Sequence, residues 1–259
     1  ATITFNANGG TGTAPVAMTQ SSSTASVSLP SGSTLTKIGY TLTGWATTTS
    51  GTAVSSPYTP TANITLYAVW TAATYTITYN TNGATGSQAN SSDSWTYNGS
   101  AVTLSAVGTM VKTGYTFAGW NTSSSATTAI SNTYAATNSS NVTLYAVWTA
   151  NTYAVTFNGN SSTSGTMSNM SIVAGTAKAL TTNAFSRTGY TFAGWNTAAD
   201  GSGTSYADLA SVTVYGNLTV YAKWTVKAPG APTAISSTAG NTLSPASALN
   251  GIRTTSFNP

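Results

Sequence analysis

Cysteine, histidine and glutamate are absent from the 259 residues, and acids of any kind are limited to three aspartates. No disulfide framework can form, and no zinc site built on thiolate or imidazole. Any triad that needs a histidine base is excluded as well. Lysine and arginine number seven, so charged residues are 4% of the total, against roughly a quarter in ordinary domains. The formal net charge of +4 is spread too thinly for the clustered cations that displace counterions from phosphates, which excludes nucleic acid as a partner. No run approaches the roughly 18 apolar residues of a membrane span, so no membrane insertion is expected. No charged-then-apolar leader stands at the N-terminus, and the sequence reads as a mature or trimmed segment.

What is present is polar and aromatic. Threonine supplies about a fifth of the residues. Such a composition alone suggests disorder, but seven Trp, fourteen Tyr and six Phe are too much aromatic area to leave unburied. These aromatics repeat. Gly44-Trp45, Gly119-Trp120 and Gly194-Trp195 each follow a Gly-Tyr pair ending at Tyr40, Tyr115 and Tyr190. Each copy closes on a second signature, Leu66 to Trp70, Leu144 to Trp148 and Val220 to Trp224. Three anchors in one order, three times, define modules at 1–72, 73–150 and 151–226. Residues 227–259 fit no repeat. They begin as a Pro-containing linker and continue as an incomplete β segment or donor-strand-like tail.

The opening strand of each module alternates, as in Ile3/Phe5, Tyr75/Ile77/Tyr79 and Tyr153/Val155/Phe157, the pattern of a half-buried strand. Asn8-Gly9, Asn82-Gly83 and Asn158-Gly159 follow, and Asn-Gly predicts a tight hairpin turn. The closing strand is apolar on both faces, which predicts a central position. Strict alternation would put Trp45, Trp120 and Trp195 opposite the aromatics before them. The glycine ahead of each permits a bulge that turns the indole back inward. The best helical stretch is Ala174 to Phe185, so one short helical turn per module is the most that is expected.

Gly-Tyr-Thr-Phe-x-Gly-Trp followed by Leu-Tyr-Ala-x-Trp resembles the internalin-type B-repeat, or Listeria–Bacteroides repeat. Gly114 to Trp120 with Leu144 to Trp148 carries the likeness, as does Gly189 to Trp195 with Val220 to Trp224. The first module has Leu42 in place of Phe, and a cation precedes each Gly-Tyr: Lys37, Lys112 and Arg187. The resemblance implies a mainly β fold, α+β at most, of three tandem β-grasp-like modules in an extended array. It also implies an extracellular or cell-surface location in bacteria and supplies no catalytic residue.

Enzymatic readings fail on inventory, since glycoside hydrolysis needs two carboxylates across a cleft and Asp93 stands alone in its module. Asp200 and Asp208 form the one acidic pair, a weak calcium candidate; an Asp-Gly turn is the plainer reading. No cofactor is expected. Trp95, with Tyr97, lies outside the repeat signature and is a candidate surface contact. Asn63, Asn141 and Asn217 match glycosylation acceptors and also suit a turn. Two readings remain: a non-enzymatic stalk or filament component of an adhesin, or a module that itself recognises glycan or protein. Partners on either reading are other copies of the protein itself, a surface protein or a glycan.

Overall fold

The computed structural model describes residues 1–22, 24–135, 138–228 and 230. The tail expected over 227–259 therefore falls, at 229 and from 231 onward, outside the described residues. The first module contains β1 (Thr2–Asn6), β2 (Met18–Thr19), β3 (Tyr40–Ala46) and β4 (Ile64–Ala72). Its sheet order is β2-β1-β4-β3. The closing strand β4 lies between a parallel neighbour, with Ile3 opposite Ile64, and an antiparallel one, with Leu42 opposite Trp70. Its two apolar faces fit that central place. Ile3, Leu35, Trp45, Leu66 and Ala68 form the core.

The second module repeats this with β5 (Thr74–Asn80), β6 (Ser92–Thr96), β7 (Val102–Thr103), β8 (Tyr115–Asn121), β9 (Thr133–Tyr134) and β10 (Val142–Ala150). Its main sheet runs β6-β5-β10-β8, and β7 pairs with β9. The third module contains β11 (Thr152–Asn158), β12 (Met170–Val173), β13 (Ala177–Ala179), β14 (Tyr190–Asn196), β15 (Ser205–Tyr206), β16 (Ser211–Thr213) and β17 (Leu218–Val226). Here β11 pairs with β12, β13 with β16, and β14 with both β15 and β17. Two compact units result. One holds the first two modules with 151–157, 168–182 and 209–219; the other holds 158–167, 183–208 and 220–228.

No helix occurs among the described residues. The stretch from Ala174 to Phe185 instead turns at Gly175 (φ +74°) and becomes β13, whose edge bonds go to β16. Strand pairing offered this segment backbone partners that an isolated helical turn would have lacked.

The bulge before each tryptophan is present. Gly44, Gly119 and Gly194 pair with the closing strand after one residue is skipped, and that residue is Thr43, Ala118 or Ala193. The extra residue flips the alternation, so Leu42 and Trp45 share the inner face. Trp45, Trp120 and Trp195 are 2%, 2% and 0% exposed. Glycine is required at Gly119, where φ is +132° and a Cβ would stand 2.7 Å from that of Ala129.

The Asn-Gly expectation needs correction. Antiparallel β2 begins only at Met18, so the turn opens a loop and not a tight hairpin. In the third module the positive-φ pair is Asn160-Ser161 (φ 46° and 69°), not Asn158-Gly159. The recurring unit is Asn-x-Asn. Asn6, Asn80 and Asn158 each accept the N–H of the asparagine two residues on, through Oδ1. That second asparagine reaches across the module. Asn8 Nδ2 donates to Thr49 O and Ala68 O at 2.8 and 2.9 Å. Asn82 does so to Ser124 O and Ala146 O, and Asn160 to Ala199 O and Ala222 O. The residue between the asparagines is held by the closing tryptophan: Trp70 Nε1 donates to Ala7 O, Trp148 to Thr81 O and Trp224 to Gly159 O.

Asn82→Ala removes two such bonds, at roughly 0.5–1.5 kcal/mol each. The melting midpoint of the second module, followed by tryptophan fluorescence, should fall by about 5–10 °C. An unchanged midpoint would mean the clasp holds nothing.

Candidate functional site

Each of the three carboxylates is engaged locally. Asp93, on β6, accepts the Tyr79 hydroxyl and, at 3.3 Å, Asn90 Nδ2. The Tyr79 oxygen in turn accepts the Ser105 N–H at 2.9 Å. Burial first, and then the bond to Asp93, push the Tyr79 phenol well above its ordinary pKa. Asp200 accepts the N–H and hydroxyl of Ser202, which hold its exposed carboxyl below the usual range. That is an Asp-Gly turn. Asp208 accepts the Asn183 N–H at 3.1 Å and Trp195 Nε1 at 3.3 Å. In the first two modules the same indole donates to a backbone carbonyl, Pro30 O or Ser105 O. Asp208 thus replaces a backbone acceptor. Among the described residues no three of Asp, Glu, His or Cys gather as a metal site would require.

The surface-contact expectation for Trp95 and Tyr97 is overturned. Trp95 sits opposite Tyr75 at an inward position of β6 and is 3% exposed, packed in the core with Ile77 and Trp120. Its Nε1 finds no partner among the described residues. Tyr97 is half-buried against the first module: its ring lies edge-on to Tyr40 at 5.5 Å, over the Gly39 backbone.

That contact belongs to a junction built twice. Ala73 N donates to Gly39 O, and Tyr97 N to Ala73 O. In the next junction Asn151 N donates to Gly114 O, and Ala174 N to Asn151 O. The glycines matter sterically as well as conformationally. A Cβ at Gly39 would fall 2.3 Å from the Tyr97 ring, and one at Gly114 would fall 2.9 Å from both Ala174 Cβ and Tyr215. After the third module Lys227 N makes the corresponding bond to Gly189 O. The tyrosine beside each glycine carries a cation over its face: Lys37 over Tyr40, Lys112 over Tyr115 and Arg187 over Tyr190, at 4.8, 5.1 and 4.0 Å. The sequence signature thus divides its labour. Gly44, Gly119, Gly194 and the tryptophans build cores, whereas Tyr40 and Tyr115 sit at junctions. Gly39 and Gly114 are junction residues that period alone did not single out; their invariable place before tyrosine was the available signal.

One cleft recurs. It measures about 380 Å³ in the first module, between Leu29, Leu42 and Val54, and about 360 Å³ in the second, between Leu104, Phe117 and Ile130. Its floor in both is the bulge glycine and its tryptophan. Elsewhere the outer sheet face is threonine-rich, and hydroxyls pair across strands as Thr4–Thr65, Thr78–Thr143 and Thr43–Thr71.

A mainly β protein of tandem modules, each closed by paired tryptophans and joined through Gly-Tyr corners, is a repeat protein. The chain belongs to the Listeria-Bacteroides repeat domain family, which matches residues 2–69, 75–147 and 153–223. It is similar to a "Putative Gly-rich membrane protein" of Evansella cellulosilytica, 34% identical over 49% of this chain and 16% of that protein. It is also similar to a "Putative membrane protein" of the same organism, 31% identical over 86% of this chain and 32% of that protein. The chain therefore spans a third or less of the length of these relatives. No solved structure matches it. Among the described residues no helix is long and apolar enough to cross a membrane.

Two outcomes test the placement of the acids. The Tyr79 pKa is raised on folding, so its contribution is complete below the unfolded value of about 10 and is lost as pH climbs past it. Urea midpoints of the second module should fall between pH 9 and pH 11 (roughly, on either side of that value), and Tyr79→Phe should flatten the fall. Chelator should leave the melting temperature where it is; a drop of several degrees would restore Asp200 and Asp208 as calcium ligands.

Proposed function

We propose that the protein is a non-enzymatic, surface-associated spacer, a modular stalk or filament segment of an adhesin. The carrying observation is the repeated junction. The same two backbone bonds, each with a glycine packed against the following module, link the first module to the second and the second to the 168–182 and 209–219 segments of the third. A structure whose inter-module contacts are its most regular feature suits the transmission of position from one module to the next. The engagement of all three carboxylates as local hydrogen-bond acceptors fits a part without chemistry of its own. Surface association draws support from the family and from relatives named as membrane proteins.

A binding role is the second reading, favoured by the cleft that recurs at equivalent positions of two modules. An array of glycans and peptides probed with the 259-residue protein separates the two. The spacer reading expects no specific binding. Binding that disappears in Ile130→Glu would place a ligand in the cleft and displace it.

The spacer reading also predicts coupling between neighbours. In Tyr97→Ala, amide exchange should accelerate not only at Ala73 but also at Tyr40, across the junction from the substitution, while the strand amides of β4 keep their protection. Acceleration confined to the second module would leave the junction without a mechanical role.

A further inference from the structure

We propose that Asn158 is a self-modification site, an asparagine that the fold positions to lose its carboxamide nitrogen as ammonia and so convert to aspartate or isoaspartate. Four Asn-Gly pairs lie in the described residues: Asn8-Gly9, Asn82-Gly83, Asn98-Gly99 and Asn158-Gly159. In each the glycine nitrogen is the internal nucleophile and the asparagine Cγ its target, and a glycine leaves that approach open because it has no Cβ. The fold treats the four differently. Asn8 and Asn82 have their Nδ2 groups tied to two carbonyls apiece. Gly99 has its N–H committed to Thr96 O at 2.8 Å. Asn158 has neither restraint: its side chain is exposed, and neither its Nδ2 nor the Gly159 N–H has a partner among the described residues.

Its Oδ1, by contrast, is held. It accepts the Asn160 N–H at 2.9 Å, which folds the side chain forward over the Gly159 nitrogen as an Asx turn does. The same bond draws electron density from the Cγ carbonyl. Asn6 and Asn80 make the same turn in the first two modules, but Ala7 and Thr81 follow them, and their side chains obstruct the nucleophile. Only in the third module does glycine occupy that middle position.

The step balances without an oxidant. The Gly159 nitrogen gives its proton to solvent base and bonds to Asn158 Cγ. The Cγ–Nδ2 bond breaks, and Nδ2 leaves as ammonia with a proton from water. One water then opens the five-membered imide at either carbonyl. Opening at the Cγ carbonyl gives an ordinary aspartate at position 158; opening at the backbone carbonyl gives the iso form, in which the backbone runs through Cβ and Cγ. The iso form lengthens the backbone just before Gly159 O, the acceptor of Trp224 Nε1. Conversion therefore loosens the closing tryptophan of one module and leaves the other two intact.

The experiment incubates the 259-residue protein at mildly alkaline pH and maps the amide-to-acid mass gain by peptide. In the folded protein Asn158 should convert several-fold faster than Asn8, Asn82 or Asn98; in urea the four should converge. Ala7→Gly copies the third-module arrangement into the first and should make Asn6 labile to within a few-fold of Asn158. Asn158→Ser should abolish the leading signal. Conversion of Asn8, Asn82 or Asn98 ahead of Asn158 in the folded protein would overturn the proposal. So would an inert Asn6 in an Ala7→Gly variant whose tryptophan fluorescence is native.

Discussion

Everything in each module depends on one skipped residue. The extra position before Gly44, Gly119 and Gly194 reverses the alternation of the middle strand, and without it the first tryptophan would point to solvent. With it, the largest side chain of the module lands against the central closing strand, where Phe117 meets both Trp120 and Trp148 edge-on. Burial of such a ring is worth roughly 1.5–3 kcal/mol, a large share of what a module of this size can gather. Glycine is therefore a condition of the core although it contributes no contact to it.

Hydrogen bonds between neutral groups do the work that ion pairs do in more highly charged proteins. The asparagine clasps, the indole-to-carbonyl bonds and the threonine pairs all join uncharged partners, and Lys37, Lys112 and Arg187 lie over tyrosine rings. Such a network is insensitive to salt, because there is little for counterions to screen. It also explains how a protein with 4% charged residues specifies its turns: donors and acceptors are matched by geometry, asparagine by asparagine.

Much of this was legible in the residues themselves. Spacing gave the three modules, and two-faced hydrophobicity gave the central place of β4. The Gly-Trp pair gave the bulge. What could not be read was set by partners far apart in sequence. Trp95 looked exceptional because no other module has tryptophan there, yet its register opposite Tyr75 buries it. The Asn-Gly dipeptide drew attention as a turn, while the working unit was Asn-x-Asn, whose meaning lies in carbonyls about 40 and 60 residues away. Asp208 was at most a weak calcium candidate beside Asp200, and only the position of Trp195 reveals it as a substitute carbonyl. The expected helical turn failed for a related reason, since β16 supplied strand bonds that no local pattern announces.

The corner at Gly39 and Gly114 has a consequence for heredity. The two hydrogen bonds that recur at both junctions join backbone N–H groups to backbone oxygens, and at each the glycine packs against a neighbouring side chain. The backbone part of the connection therefore asks only for a glycine before a tyrosine and a strand that follows on, while different side chains, Tyr97 in one case and Ala174 with Tyr215 in the other, pack on that glycine. A gene built from such units can gain or lose a whole copy by unequal recombination and still encode an array whose joints fit. Length then becomes a trait that changes in single steps, adjustable without any new interface having to evolve.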